Sequence, residues 1–337
     1  MSDLVLKDSN PNKRVYFYTL GCRLNQAEEE SIKRQFLLTG FTVVDPKYAD
    51  IIIINTCSVT SVADKKSKIA IRKLKRENGA ARIVVMGCAA KGVTGMSEVD
   101  LIISNQEKDK TFEIISSSKL ISSKFTQKPR ARTQNLNIRT RALLKVQDGC
   151  NNFCTYCIVP YLRGREKSVP FLEVLKEAKR MEKMGYREIV ISGVNVGKYS
   201  SPIDKTVIPK IKTSTEEGII NLEGLLRTIL SETKIPRIRL SSINPQDVSE
   251  GLINLWAKES RLCRHLHLSL QSGSDLILKK MGRPYTKKQY LDLVKKIRKQ
   301  IPGIAITTDL IVGFPGETER EFQETKDFVK KILFARI

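Results

Sequence analysis

From Arg14 the chain alternates between two hydrophobic periods. "RVYFYTLG" reads as a strand ending at Gly21, and "QAEEESIKRQFLLTG" sets Ile32, Phe36 and Leu37 on one helical face before Gly40 stops it. "DIIIINT" is a continuous apolar run suited to a strand buried on both faces, followed by the charged helix "VADKKSKIAIRKLKREN" and the strand "RIVVMG". This βαβαβ order predicts a parallel, doubly wound sheet. A second series begins at Arg141. Strands are predicted at "ALLKVQ", "EIVISGV", "RIRLSSI", "HLHLSLQ" and "AITTDLIVG", with helices at "FLEVLKEAKRMEKMG", "LEGLLRTIL", "DVSEGLINLWAKE" and "TKKQYLDLVKKIRKQ". The expectation is a barrel or part-barrel of parallel strands whose chemistry sits at their carboxyl ends. "YSSPIDKTVIPKIKTSTEEG", Tyr199 to Gly218, is polar and aperiodic and reads as a surface insertion. "ILFARI" reads as the opening of a sixth strand, so the barrel is taken as incomplete.

A length of 337 residues exceeds one ordinary core and favours two domains. No run of eighteen apolar residues occurs, and the polar start "MSDLVLKDSN" has no secretory pattern, which argues against membrane insertion or export and makes the cytoplasm the simplest location. Fifty-nine Lys and Arg against thirty-six Asp and Glu leave +23, a potential suited to a polyanion such as RNA, DNA or an acidic membrane. A solvated Lys-rich surface is the plainer alternative. Residues 114 to 147 hold no acid but carry Lys119, Lys124, Lys128, Arg130, Arg132, Arg139, Arg141 and Lys145. This basic linker is either a solvated tether or a phosphate-contacting strip.

The cysteines sharpen the picture. Seven in a chain from a reducing compartment are metal ligands or reactive thiols more readily than disulfides, and the odd number agrees. Cys22, Cys57 and Cys88 each follow a predicted strand, and parallel strands bring such ends to one edge. Three others, Cys150, Cys154 and Cys157, lie within "QDGCNNFCTYC" at C-x3-C-x2-C spacing. Structural zinc takes four protein ligands, and no fourth is near. Three thiolates on an iron-sulfur cluster leave one iron open to bind something else.

"CNNFCTYC" resembles the signature of radical S-adenosylmethionine enzymes, whose three cysteines hold a 4Fe-4S cluster that chelates the cofactor. "TLGCRLNQAE", "NTCSVT" and "MGCAAK" resemble the amino-terminal domain of the methylthiotransferases, where three such cysteines carry a second 4Fe-4S cluster. "VPYLRGREKSVP", "SGVNVGKYS", "RLSSINPQDV", "HLHLSLQSGSDLILKKMGRPYT" and "TDLIVGFPGETEREF" resemble that family in order, over nearly the whole chain. The opening, with "YLRGREKS" and "GVNVGKY", is most similar to the branch that methylthiolates N6-threonylcarbamoyladenosine at position 37 of tRNA. Sister branches act on isopentenyladenosine in tRNA or on a ribosomal-protein aspartate.

The resemblance implies an α/β organisation: residues 1–118 a methylthiotransferase amino-terminal domain with the auxiliary cluster on Cys22, Cys57 and Cys88, 119–140 the basic linker, and 141–337 a radical S-adenosylmethionine part-barrel. The family's carboxyl-terminal RNA-binding β-barrel has no counterpart here. Cys150, Cys154 and Cys157 would bind the cluster that cleaves S-adenosylmethionine to a radical. Adenine C2–H is too weakly acidic for a protein base, and the cofactor carries that step. A further S-adenosylmethionine would supply the methyl group. The implied partners are tRNA, met at its anticodon stem-loop, and an external electron donor; the sulfur donor is open, and no membrane is involved.

Other positions carry paired readings. Tyr156 occupies the place of a side chain near the cofactor adenine, against ordinary loop packing. Gly193 and Asn195 stand where such enzymes contact the cofactor's amino group. Ser241, Gln271 and Asp309 lie near later strand ends and either face the site or satisfy local backbone. His265 and His267 share a strand face as rim polar residues in preference to a metal pair. Cys263 is expected to be small and buried, Trp256 to be packing, and "GFPGET" to be a strand-to-helix turn capped by Thr318. The competing class is a zinc-stabilised RNA-binding protein with structural cysteines.

Overall fold

The computed structural model describes residues 14–58, 60–118, 140–203 and 218–337. The predicted linker, 119–140 apart from its last residue, and residues 204–217 of the predicted insertion lie outside the described residues. The chain divides into two compact units, taken here in turn.

In the first unit, strands β1 (Arg14–Thr19), β2 (Thr42–Val43), β3 (Ile51–Thr56), β4 (Arg82–Gly87) and β5 (Leu101–Ile103) form one parallel sheet of order β2-β1-β3-β4-β5. Helices α1 (Arg23–Leu38), α2 (Ser61–Glu77) and α3 (Thr111–Ser117) cover it. The isoleucine run explains why both faces are covered. Side chains alternate along a strand, so Ile51 and Ile53 join Ile32 and Phe36 of α1 and Ile115 of α3. Ile52 and Ile54 join Ile71 and Leu74 of α2 on the opposite face. Each buried isoleucine contributes about 1.5–3 kcal/mol. The doubly wound reading holds; the short β2 and β5 were not predicted, because two or three residues are too few to show a period. β1 also stops at Thr19, two residues before Gly21.

In the second unit, β6 (Ala142–Lys145), β9 (Glu188–Ser192) and β12 (Arg237–Leu240) are parallel neighbours in that order. Strand β12 continues by single bridges, Ile238 to Leu262 and Ile243 to Leu268, toward β13 (His265–His267), which pairs with β14 (Ala305–Thr307). Thr307 then bridges Arg336, so the predicted sixth strand does begin to pair. Around this arc stand α5 (Phe171–Lys183), α6 (Leu222–Glu232), α7 (Glu250–Lys258), α8 (Asp275–Lys280), α9 (Lys287–Gln300) and α10 (Glu319–Ile332). Helix α5 buries Phe171, Val174, Leu175, Ala178 and Met181, the i, i+3, i+4, i+7 stripe of a helix laid on a sheet. Glu188, at the start of β9, is enclosed by Arg141, Arg237 and Arg239. Burial pushes its carboxyl up, but the Arg239 hydrogen bond and the three guanidinium charges outweigh burial and hold it below its ordinary range.

Two expectations change. The stretch from Tyr199 is not all surface: Tyr199 is buried with its hydroxyl donating to the Val169 carbonyl at 3.1 Å, and β10 (Ser200–Pro202) pairs antiparallel with β11 (Ile219–Asn221). Cys263 is half-exposed, not buried, because it lies in the bridge region between β12 and β13 where its backbone N–H bonds to Ile238. Trp256 is packed as expected, its indole N–H donating to the Cys263 carbonyl at 2.9 Å. Thr318 stands at the N-cap of α10, with Glu321 reaching back to its backbone N–H at 3.0 Å. Among the described residues no helix is long and apolar enough to cross a membrane.

Candidate cofactor sites at the strand ends

In the first unit the three cysteines leave the carboxyl edge on adjoining turns. Cys57 and Cys88 directly follow β3 and β4, and Cys22 is the N-cap residue of α1 after β1. The turns are pressed together by missing side chains. A Cβ at Gly21 would stand 2.8 Å from the Cys57 Cβ and 3.1 Å from its Sγ, and one at Gly87 would stand 2.4 Å from the Thr56 carbonyl oxygen. Asn25, fully enclosed, ties the edge from below. Its Nδ2 donates to the Leu20 carbonyl at 2.8 Å and the Thr56 carbonyl at 3.0 Å, while Asn55 Nδ2 donates to the Asn25 carbonyl at 2.8 Å. Thr56 Oγ1 donates to the Met86 carbonyl and accepts the Ala89 N–H, holding the turns of Cys57 and Cys88 to one another. Cys57 and Cys88 are buried and Cys22 exposed.

In the second unit β6 is followed by β7 (Gln147–Asp148), which pairs antiparallel with β8 (Lys167–Ser168), and short α4 (Val159–Arg163) lies between them. The loop from Gly149 to Cys157 is therefore closed at its base. Asp148 accepts from the Gly149 N–H at 2.8 Å, Arg163 at 2.9 Å and Lys145 at 2.8 Å, and the Cys150 N–H donates to the Gly164 carbonyl at 3.2 Å. Farther along, the Thr155 N–H and hydroxyl donate to the carbonyls of Met281 and Lys280 at 3.2 and 2.9 Å. The Cys150 thiol is pushed up by burial and then by the nearby charges of Cys154 and Cys157; that of Cys157 is raised by burial and by Cys154. Thiolates crowded away from water repel, and positive metal relieves both costs. Among the described residues no three His, Cys, Asp or Glu side chains stand close enough to grip a single ion. Thiolates holding separate corners of a cluster stand farther apart than those around one ion, and none of the six cysteines is joined in a disulfide. That donor set fits a cluster.

Neighbouring strand ends supply polar groups. Gly193, one residue past β9, lies against Gln147: a Cβ there would be 3.0 Å from the Gln147 Oε1. Gln147, fully buried, accepts the Asn195 N–H at 2.7 Å and donates from Nε2 to the carbonyls of Asp148 and Gly149, both at 2.9 Å. Asn195 is 2% exposed, yet its Nδ2 has no hydrogen-bond partner. Ser241 Oγ, at the end of β12, is likewise buried without a partner. Unmatched buried donors cost about 1–3 kcal/mol each, and two at one barrel mouth fit a polar ligand that supplies oxygen. Tyr156 is half-buried, its phenol raised by burial, and lies beside Arg283 and Cys154. Gln271 follows β13 in the left-handed region at φ 73°, its N–H donating to the Asp309 carbonyl and its carbonyl accepting the Ile311 N–H, each at 2.9 Å. Asp309 accepts from or pairs with His267 Nε2 at 3.1 Å, and Thr307 Oγ1 lies 3.0 Å from His267 Nδ1 and 3.1 Å from His265 Nε2. The histidines are thus in a hydrogen-bonded rim network.

Gln147, Asn244 and Arg283 were not among the predicted site residues. Arg283, in "GRPYT", donates to Cys154 Sγ at 3.4 Å although 129 positions separate them, a distance no local pattern reports.

A family described as the radical SAM superfamily matches residues 144–329, and one described as uncharacterized protein family UPF0004 matches residues 14–103. The threonylcarbamoyladenosine tRNA methylthiotransferase MtaB of Chlamydia pneumoniae is 38% identical over 324 residues, 94% of this chain and 72% of that protein. The Bacillus subtilis MtaB is 36% identical over 96% of this chain and 72% of its own length. The tRNA-2-methylthio-N(6)-dimethylallyladenosine synthase of Clostridium tetani is 36% identical over 97% of this chain and 73% of its own. Among solved structures, the radical S-adenosylmethionine methyltransferase TsrM of Kitasatospora setae shares the fold, with TM-score 0.61 and 14% identity over 96% of this chain and 72% of that one. The cysteine loop at the mouth of a parallel part-barrel, the preceding doubly wound unit and these relatives together establish that the chain belongs to the radical S-adenosylmethionine superfamily and, within it, to the tRNA methylthiotransferases.

Proposed function

We propose that this enzyme adds a methylthio group to C2 of N6-threonylcarbamoyladenosine at position 37 of tRNA, with Cys150, Cys154 and Cys157 holding a 4Fe-4S cluster that binds S-adenosylmethionine and Cys22, Cys57 and Cys88 holding a second. The observation that carries this reading is the loop of Cys150, Cys154 and Cys157 at the strand ends, beside the unpartnered Asn195 amide. When bound, the cluster and its cofactor supply the one-electron chemistry that an unactivated C–H bond demands. The chain's own residues supply placement. Asp148, held by Arg163 and Lys145, and the Gly164 carbonyl fix the loop's start; Met281 and Lys280 fix its middle. Asn195 and Ser241 offer hydrogen bonds to the cofactor, and Gly193 leaves room for it next to Gln147. Tyr156, half-buried between Arg283 and Cys154, would keep water from that side of the loop.

The threonylcarbamoyl substrate is favoured because relatives of that name match at 35–38% identity, although dimethylallyladenosine synthases follow at 35–36%. RNA as partner agrees with the +23 charge. It also agrees with the surface next to the cysteine loop, where the Arg165 guanidinium lies 4.6 Å from the Phe153 ring centre and Tyr161, 70% exposed, meets the same ring edge-on at 5.7 Å. The test is nucleoside analysis of tRNA from cells lacking the gene and complemented with wild type or Cys154→Ala. Loss of the 2-methylthio form of threonylcarbamoyladenosine, restored by wild type alone, is expected. Loss of the dimethylallyl form instead would move the substrate; unchanged tRNA would overturn the reading. Anaerobic reconstitution should give brown protein whose iron falls by one cluster's content when Cys22, Cys57 and Cys88 are replaced together, whereas a zinc protein would be colourless.

A further inference from the structure

Arg283 is 8% exposed, and each edge of its guanidinium is engaged. Nη1 donates to Cys154 Sγ at 3.4 Å, Nε to the Tyr285 hydroxyl at 2.9 Å and Nη2 to Asn244 Oδ1 at 2.8 Å. Tyr285 in turn donates to the carbonyls of Ser269 and Leu270 at 2.9 and 3.0 Å, so the arginine is anchored to the core.

The direction of these bonds is forced. A guanidinium has only donors, so Asn244 must turn its oxygen toward Arg283 and its Nδ2 away. That Nδ2 donates to Asn195 Oδ1 at 2.9 Å, with a longer approach to Asp247 Oδ2 at 3.4 Å. Asn195 therefore spends its oxygen on Asn244 and is left with Nδ2 free, buried and unpartnered. An amide's two ends are ordinarily interchangeable in shape, and here one arginine decides both. The free end is a donor. It suits a carboxylate or other acceptor oxygen, and it does not suit the ammonium group that the motif position first indicated for Asn195.

We propose that Arg283 is a positioning residue that acts in two directions: it stabilises the Cys154 thiolate and so raises the reduction potential of the cluster held there, and through Asn244 it locks Asn195 with its N–H groups toward the carboxylate of S-adenosylmethionine. This rests on the assignment of Cys150, Cys154 and Cys157 as cluster ligands. The first effect follows because a reduced cluster carries one more negative charge, which a cation and hydrogen-bond donor favour. The second follows because an unmatched buried donor is satisfied only by an acceptor.

The full chain is reconstituted anaerobically, and iron content, an EPR-monitored redox titration and equilibrium binding of S-adenosylmethionine are measured for wild type, Arg283→Lys, Arg283→Met and Asn244→Asp. Arg283→Met is expected to lower the reduced-to-oxidised ratio at fixed potential about tenfold, which is ~59 mV for one electron, and to weaken cofactor binding about tenfold. Arg283→Lys keeps the charge but not the fork, so its potential stays near wild type while binding weakens. In Asn244→Asp the oxygen still accepts from Arg283, but nothing donates to Asn195, whose amide turns over and presents oxygen to the cofactor carboxylate; binding falls about tenfold with iron unchanged. Should Arg283→Met not fold, Arg283→Gln, which also removes the charge, takes its place in the redox titration, and the other two variants carry the binding test. Wild-type potential and affinity in variants that load their cluster would overturn the inference alone. A triple variant with Cys150, Cys154 and Cys157 replaced that still takes up the iron content of wild type would instead overturn the site assignment beneath it.

Discussion

Replacing Gly149 by alanine tests whether the cysteine loop is held by its backbone. Gly149 has φ +68°, a left-handed conformation that costs a residue with a Cβ about 1–2 kcal/mol. Its Cβ would also lie 2.0 Å from the Arg165 carbonyl oxygen and 2.6 Å from that carbonyl carbon, whereas real contacts essentially never fall below 3.0 Å. Both neighbours are backbone, so no side chain can swing aside, and strain of this kind adds about 1–3 kcal/mol. The total, about 2–5 kcal/mol, lowers the melting temperature by roughly 4–20 °C at ~2–4 °C per kcal/mol for a unit of this size. Relief requires the two strands of backbone to part by about 1 Å, and the bond that yields first is the 3.2 Å contact from the Cys150 N–H to the Gly164 carbonyl. The Cys150 thiol then leaves its place and cluster loading falls. Gly185 is the control: its φ is +82°, but nothing stands within 4 Å of a Cβ there. Gly185→Ala should cost only the left-handed conformation, about 1–2 kcal/mol, with iron content unchanged. Thermal melts and iron and sulfide analysis after anaerobic reconstitution compare the two. Equal melting temperatures and equal iron in both variants would refute the argument that the Arg165 carbonyl makes Gly149 irreplaceable.

Other outcomes follow from the core. Glu188→Gln should cost about 2 kcal/mol at pH 7, less than a fully enclosed pair because Arg141 and Arg237 stand half in water. Since the Glu188 carboxyl is held down in the folded state, its contribution is complete above the ordinary carboxylate value of about 4.3 and is lost as pH falls through the depressed value; urea melts of wild type and variant should converge in acid, and a gap that widened there would contradict the charge assignment. Phe36→Ala removes a fully buried ring that meets Phe17, Phe41 and Phe112 edge-on and should cost about 3–5 kcal/mol in denaturant titration. Tyr290→Phe deletes the 2.8 Å donation to the Leu268 carbonyl and should cost about 1–2 kcal/mol with a small change in the slope of unfolding.

Most of the helices and long strands were legible in the hydrophobic periods of the sequence. The Ile51–Ile54 run suited a strand covered on both faces, and the α5 stripe from Phe171 to Met181 matched one side of a helix. The strand-end placement of Cys57 and Cys88 followed from the same periods. What stayed illegible was either too short or too distant. The pairs Thr42–Val43 and Gln147–Asp148 hold two residues each and carry no period. The line from Cys154 through Arg283 and Asn244 to Asn195 joins four separate loops, and its logic lies in donor direction, which sequence does not display. Gln147 belonged to the quoted cysteine stretch, yet its role as acceptor for Asn195 depends on the register that brings β6 beside β9.

The left-handed turn at Gln271 has a mechanical meaning. A side-chain-bearing residue pays about 1–2 kcal/mol to stay there, and it stays because backbone bonds to the residues flanking Leu310 grip both its amide and its carbonyl. The terminal segments beyond β13 and β14 are thereby riveted into a single stiff lip. An incoming nucleotide that needed this side of the opening to widen would have to break both rivets at once, so adjustment to the substrate falls to the other parts of the rim.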